Sequence, residues 1–221
     1  SLLAAINILV FIVGIKSTTA TIGQLLYAAT PFLTGIILYS FYKEKLSTFK
    51  VIGIFIGFIG TAIVVSLPVI ERKNPFSGDL LGNLLISIGV VSWSFYMVYS
   101  KKLLQKYSPF DVTSAFIFVT LVVSTPFFIF ETIIRNGWWL SISFNSILAL
   151  GYVTVISTIF TYLLNQYAIK HGGSVFASLS FYLLPISSFM FAFILLDERL
   201  TLGVILGGLL ALLGVFLVTS K

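Results

Sequence analysis

The chain contains no cysteine and a single histidine, His171, and its 221 residues carry only 13 basic and 7 acidic side chains. Each shortage excludes something. Without cysteine there is no disulfide, no thiol nucleophile and no thiolate metal site. One histidine and a few scattered acids leave little from which to build a metal cluster. They also leave no convergent nucleophile-and-base set for a membrane-embedded hydrolase or transferase. No enzymatic activity, catalytic residue, metal or cofactor is expected. A soluble domain carries about 25% charged residues, whereas this chain carries 9% and is 58% apolar. The net charge of +6 has no soluble basic face to sit on, so nucleic acid is not an expected partner.

What is present is apolar sequence cut into lengths. Uncharged runs cover 17–42, 51–70, 80–100, 112–130, 136–169, 171–196 and 200–220, with charges clustered between them. A helix needs about 20 mostly apolar residues to cross a bilayer. Helix is the only open-ended structure that satisfies every backbone polar group within one crossing. Reading Asn136-Gly137-Trp138-Trp139 as an interfacial turn, the spans fall at 1–15, 20–42, 51–69, 80–100, 112–131, 146–169, 174–196 and 202–219. The fold class is therefore an all-α polytopic membrane protein with eight transmembrane helices. Lysine and arginine favour one side of the alternating loops, eight to five, and that side holds Lys221. By the positive-inside rule the C-terminus is cytoplasmic.

The sequence repeats itself at an offset of 154 residues. At that shift Pro31 falls on Pro185, Glu44-Lys45-Leu46 on Glu198-Arg199-Leu200, Gly53 on Gly207 and Gly60 on Gly214. The spans bearing the matched prolines, Pro31 and Pro185, are the second and the seventh, five crossings apart, so they run in opposite directions. This is an inverted-topology repeat, a construction many secondary transporters use. The second copy begins with two spans that have no counterpart in the first. The parent unit is thus expected to have ten helices, five per copy (5+5), with two helices missing from the front. The division is then 1–69 for the last three helices of the first repeat, 70–78 for the connecting loop and 79–221 for the second repeat.

The run Ala29-Thr30-Pro31…Glu44-Lys45-Leu46…Gly53…Gly60, again as Leu184-Pro185…Glu198-Arg199-Leu200…Gly207…Gly214, resembles the EamA-type drug/metabolite transporters, as does Gly78-Asp79-Leu80-Leu81…Trp93…Tyr99-Ser100-Lys101-Lys102. The resemblance implies a permease in a bacterial inner membrane that moves small metabolites or drug-like solutes, amino acids among them. Their route is a central cavity between the repeats. This chain departs from the family in lacking the first helix pair.

A proline inside a helix removes an N–H and crowds the carbonyl four residues earlier. Broken helices at matched depths point to a transporter's binding site. The substrate-binding candidates are therefore the proline-bearing faces, Gln24, Tyr27 and Pro31 in the second span and Ser178, Phe181, Tyr182 and Pro185 in the seventh. Trp93 and Met97 on the fourth span and Thr158, Tyr162 and Asn165 on the sixth join them. The competing reading is that these polar groups tie helices together. On that reading the chain is a packing subunit or sensor that transports nothing. Glu44 and Glu198 read as interfacial anchors. The glycine-rich helices 51–69 and 202–219 read as close-packing surfaces, used either within the chain or in a homodimer. The partners are a small solute and membrane lipid.

Overall fold

The structure is a computed structural model describing residues 1–42, 48–71, 77–135, 137, 142–197, 199 and 201–219. Among the described residues it is helical throughout, with no strand. In chain order the helices are α1 (Leu2–Ile15), α2 (Ala20–Tyr27), α3 (Thr30–Tyr42), α4 (Thr48–Ile70), α5 (Leu80–Leu103), α6 (Pro109–Ile134) and α7 (Phe144–Tyr152). A π-helical segment, Val153–Phe160, leads into α8 (Thr161–Ser178); a 3₁₀ turn, Leu179–Tyr182, precedes α9 (Leu183–Leu196), and α10 is Leu202–Thr219. Among the described residues, four stretches are long and apolar enough to cross a bilayer: Ala20–Phe41, Leu80–Leu103, Pro109–Ile134 and Phe144–Ser178.

Helix starts follow local chemistry. Asp79 accepts from the backbone N–H groups of Leu81 and Gly82 at the head of α5. Ser108 and Asp111 form a reciprocal capping box at the head of α6, with Pro109 at the first helical position, where its missing N–H costs nothing. Thr201 caps α10 by accepting from Val204 N–H, and Glu71 reinforces that end. One Glu71 carboxylate oxygen accepts from Thr201 Oγ1 at 2.6 Å and from Gly203 N–H at 3.1 Å; the other accepts from the Ser77 hydroxyl. An anion beside helix N–H groups is favourably placed against the helix dipole.

The stretches carrying Pro31 and Pro185 are both interrupted, whereas α6 runs unbroken past Pro126. The second expected span, 20–42, divides at Ala28-Ala29. Pro31 has no N–H to offer the Tyr27 carbonyl, and the Thr30 hydroxyl takes that carbonyl instead at 2.6 Å. The seventh, 174–196, passes through the 3₁₀ turn at Leu179–Tyr182. Gly173 (φ 83°) breaks the chain path just before it, in a region that glycine reaches without a Cβ penalty.

Two packing relations set the architecture. α4 and α10 lie antiparallel, touching backbone to backbone. A Cβ on Gly60 would collide with Ala211 N and come within 2.7 Å of Gly207 O. A Cβ on Gly214 would collide with Gly57 N and come within 2.6 Å of Gly53 O. The glycine faces are therefore spent inside the chain. α1 and α5 are also antiparallel: Gly14 lies against Gly82, and Ser92 Oγ donates to Leu3 O at 2.7 Å. A buried core joins these pairs to α2 and α3 through Ala4, Ile22, Phe32, Val64, Ile86 and Val204.

Candidate functional site

The interrupted helices meet ring to ring. Tyr27, at the last turn of α2, stacks on Phe181 in the 3₁₀ turn, with centroids 6.1 Å apart and planes at 22°. Phe11 of α1 meets Tyr27 edge-on at 5.7 Å. A few residues away Ser188 Oγ donates to Ala20 O at 3.2 Å. As α2 advances from Ala20 to Tyr27 its partner recedes from Ser188 to Phe181, so the two stretches run in opposite directions.

Asn7 holds this junction. Its side-chain amide donates to the Tyr27 hydroxyl and, at 2.8 Å, to the carbonyl of Gly89 on α5. One buried amide thus ties α1, α2 and α5 together.

Beside the junction lies a closed circuit of four rings. Trp93 and Tyr96 (α5) have centroids 5.0 Å apart, Tyr96 and Phe116 (α6) 5.8 Å, Phe116 and Tyr162 (α8) 4.6 Å, and Tyr162 and Trp93 5.5 Å. None of the four contacts is a parallel stack; all are tilted or edge-on, arrangements that aromatic quadrupoles favour over a face-to-face sandwich. Gln166 Nε2, one turn beyond Tyr162, donates to the Tyr96 hydroxyl at 2.8 Å. Its own carbonyl oxygen has no partner, nor do Asn165 Oδ1 and Trp93 Nε1, although all three atoms are shut off from solvent.

The twelve expected site residues fare unequally. Tyr27 meets Phe181, and Trp93 meets Tyr162. Met97 is fully buried and its carbonyl accepts from Ser174 Oγ at 2.8 Å. Asn165 and Gln24 are half-buried, and Pro31 is buried. Ser178 is buried, and its hydroxyl is used locally on Val175 O at 2.7 Å. Thr158 also bonds within its own helix, donating to Val153 O at 2.9 Å, five residues back. Thr161 does the same to Ile156 O at 3.0 Å. These hydroxyls follow the i→i−5 spacing of the π segment, a geometry that is rare and frequent at functional sites. The side chains of Tyr182 and Pro185 lie outside the described set, as do Glu44, Glu198, Trp138 and Trp139.

Asn7, Tyr96, Phe116 and Gln166 are members of the cluster absent from the expected set. Asn7 and Gln166 are legible in the sequence as amides inside uncharged spans, beside the expected set. Tyr96 and Phe116 give no local signal in a chain rich in aromatics. A groove of ≈ 310 Å³, lined among others by Leu26, Phe32, Phe58, Leu84 and Val90, lies between α2–α3, α4 and α5; none of the expected site residues lines it. Among the described residues no three His, Asp or Glu side chains converge as metal ligands. The cluster offers only uncharged donors, acceptors and ring faces, which suits it to binding.

The EamA-like transporter family profile matches residues 1–66 and 80–220. The chain belongs to the EamA-like transporter family. An EamA-like relative, an uncharacterized transporter of Archaeoglobus fulgidus, is 27% identical over 210 residues, covering 94% of this chain and 70% of its own length. Uncharacterized transporter YyaM of Bacillus subtilis is 28% identical over 213 residues (93% of this chain, 66% of that protein). The WAT1-related protein At3g28100 of Arabidopsis thaliana is 23% identical over 243 residues (98% of this chain, 68% of that protein). The chain thus spans about two thirds of the length of these relatives. A solved structure superposes with a TM-score of 0.61 at 17% identity, covering 96% of this chain and 70% of that one, a likeness of fold. As an EamA-like protein with apolar membrane-length helices, this is an integral membrane protein of the transporter class.

Proposed function

We propose that the chain forms eight membrane spans of a 5+5 inverted-repeat transporter and exports or exchanges small metabolites or drug-like solutes by alternating access. On this reading, residues 1–69 are the last three helices of one repeat, 70–78 the connection and 79–221 the other repeat. The observation that carries the reading is the Tyr27–Phe181 stack. The two residues differ by 154, so each occupies the same place in its own copy. A residue touches its own counterpart only where a two-fold axis passes between them. The glycine contacts support the same axis: Gly60 with Gly207 and Gly53 with Gly214 exchange partners under that offset.

Alternating access then needs hinges at matched positions. The Ala28-Ala29 break and the Leu179–Tyr182 turn fill that role, adjoining at the offset of 154, where Ala28 falls on Tyr182. Solute would bind beside them, among Gln24, Tyr27, Pro31, Trp93, Met97, Thr158, Tyr162, Asn165, Ser178, Phe181, Tyr182 and Pro185. The C-terminus faces the cytoplasm of a bacterial inner membrane, and any homodimer through 51–69 and 202–219 uses the faces those helices turn away from each other.

The test is flux. Proteoliposomes holding the protein should release preloaded amino acids or amines faster than empty vesicles, and Tyr27→Ala should reduce that rate at least about tenfold. Flux indistinguishable from empty vesicles across a broad solute panel would reject the reading.

A further inference from the structure

We propose that the two interrupted stretches rock between two alternating latches, Ser188 on Ala20 and Thr34 on Ser174, one made in each access state. This rests on the inverted-repeat transporter reading and adds the side chains that hold each state.

The positions are set by the Tyr27–Phe181 stack. Ala20 lies seven residues before Tyr27 and Ser188 seven after Phe181, and Ser188 Oγ donates to Ala20 O at 3.2 Å. The offset of 154 carries this pair onto Ser174 and Thr34, seven residues before Phe181 and seven after Tyr27. Seven residues are about two helical turns. The stack therefore sits midway between two like pairs, each setting a hydroxyl of one stretch against a carbonyl of the other.

One pair is made and the other is not. Thr34 is fully buried, yet its Oγ1 has no hydrogen-bond partner. Thr61, Thr113 and Thr120 turn back to the carbonyl four residues earlier, on Gly57, Pro109 and Phe116; Thr34 does not. Buried polar atoms are nearly always paired, so an exception needs a reason. Six such side-chain atoms occur among the described residues, on Thr34, Trp93, Ser100, Thr132, Asn165 and Gln166. Only Thr34 has a counterpart at the offset whose side chain can hydrogen-bond. Asn165 and Gln166 fall on Phe11 and Ile12, and the others fall outside the chain.

A partner for Thr34 is close in the fold. Val175, next to Ser174, packs against the cluster of Ile37, Leu38 and Val98, and Ile37 is one turn beyond Thr34. Rotation about the stack brings one end together as it draws the other apart. With the Ala20 end latched, Thr34 is left unpaired. In the opposite state Ser188 lets go and Thr34 Oγ1 donates to Ser174 O, whose two lone pairs admit a bond beside any helical one. The unpaired hydroxyl penalises the first state and the Ser188 bond favours it, which keeps the two close in free energy.

The experiment is double electron–electron resonance on the full chain in lipid nanodiscs, where the lack of native cysteine leaves every label at a chosen site. Spin labels at the exposed positions Lys16 and Ile194 read the Ala20 end; labels at Lys170 and Ser40, their counterparts at the offset, read the Thr34 end. Thr34→Val keeps the shape and removes the hydroxyl. It should shift populations about threefold toward a short distance at the Ala20 end and a long one at the Thr34 end, the effect of one interhelical hydrogen bond. Ser188→Ala should shift both pairs the other way by a similar factor, and Thr34→Ser should restore the wild-type distribution. Both variants shifting in one direction, both leaving the populations unchanged, or Thr34→Ser behaving as Thr34→Val would overturn the latches. Opposed shifts in a chain that moves no solute in the flux assay would reject the transporter reading and leave the latches standing.

Discussion

Tyr27 and Phe181 stack ring on ring at 6.1 Å, and they stand 154 residues apart, as Pro31 and Pro185 do. The contact joins a stretch that ends in a helix break to one that runs through a 3₁₀ turn. Its partners are unequal. Only Tyr27 has a hydroxyl, and that hydroxyl is held by Asn7. One side of the junction is therefore polar and the other purely apolar.

Direction of the two stretches is testable by cross-linking, and the absence of native cysteine removes background. Ala20→Cys paired with Ser188→Cys should cross-link efficiently with a short thiol-reactive reagent, because Ser188 Oγ lies 3.2 Å from Ala20 O. Ala20→Cys with Leu196→Cys should not, since Leu196 is two turns further along α9. Equal yields from both pairs would contradict the antiparallel packing.

Close backbone approach makes two glycines irreplaceable. Gly60→Val and Gly214→Val would each drive a side chain into the backbone of the opposing helix. Overpacking of this kind costs about 1–3 kcal/mol. Thermal unfolding in detergent should show a clear drop for both. Gly151→Ala, with nothing within 4 Å of the added carbon, should unfold at or above the wild-type temperature.

Asn7→Leu removes a donor from both the Tyr27 hydroxyl and the Gly89 carbonyl. A buried group left unpaired costs about 1–3 kcal/mol, although interhelical bonds in membranes average nearer 0.6 kcal/mol. The expected loss is about 1 kcal/mol in unfolding assays, together with reduced flux. Full flux with normal stability would mean that the clamp contributes nothing.

The capping box at the exposed head of α6 precedes the expected span 112–131 and predicts a local pH effect there. The Ser108 hydroxyl and backbone N–H both bond the Asp111 carboxylate and hold it below the usual aspartate range. A carboxylate pKa depressed by folding stabilises the folded form above its unfolded value, and that contribution is lost as pH falls through the folded value. Hydrogen-exchange protection in the first turn of α6 should therefore decline as pH drops below about 4. Asp111→Asn should abolish that decline; a decline that survives the substitution would assign it to another group.

Much of this fold is legible without coordinates. Charges cost too much in hydrocarbon to fall anywhere but between spans, so their clusters mark the turns. Asp79, Ser108 and Thr201 announce helix starts because a short side-chain acceptor fits the first unpaired N–H groups. Pro31 announces the break at Ala28-Ala29. The role of Thr30 in taking the Tyr27 carbonyl was not legible, because a hydroxyl in a membrane helix has several carbonyls within reach. Glu71 gives no local signal either: it falls in the expected connection 70–78, yet bridges to Thr201 and Gly203 far along the chain.

The sequence by itself determined that the chain is apolar and helical, where its charged clusters cut it into runs, and that a proline lies in each of two stretches 154 residues apart. These follow from local rules: the cost of buried charge and the missing N–H of proline. The tertiary structure decided which faces meet. Nearly every face of these helices is apolar, so the hydrophobic effect does not choose among them. Close packing of glycine backbones and the pairing of a few buried amides do, and those bring Tyr27 to Phe181, Gly60 to Gly207, and Trp93 to Tyr162.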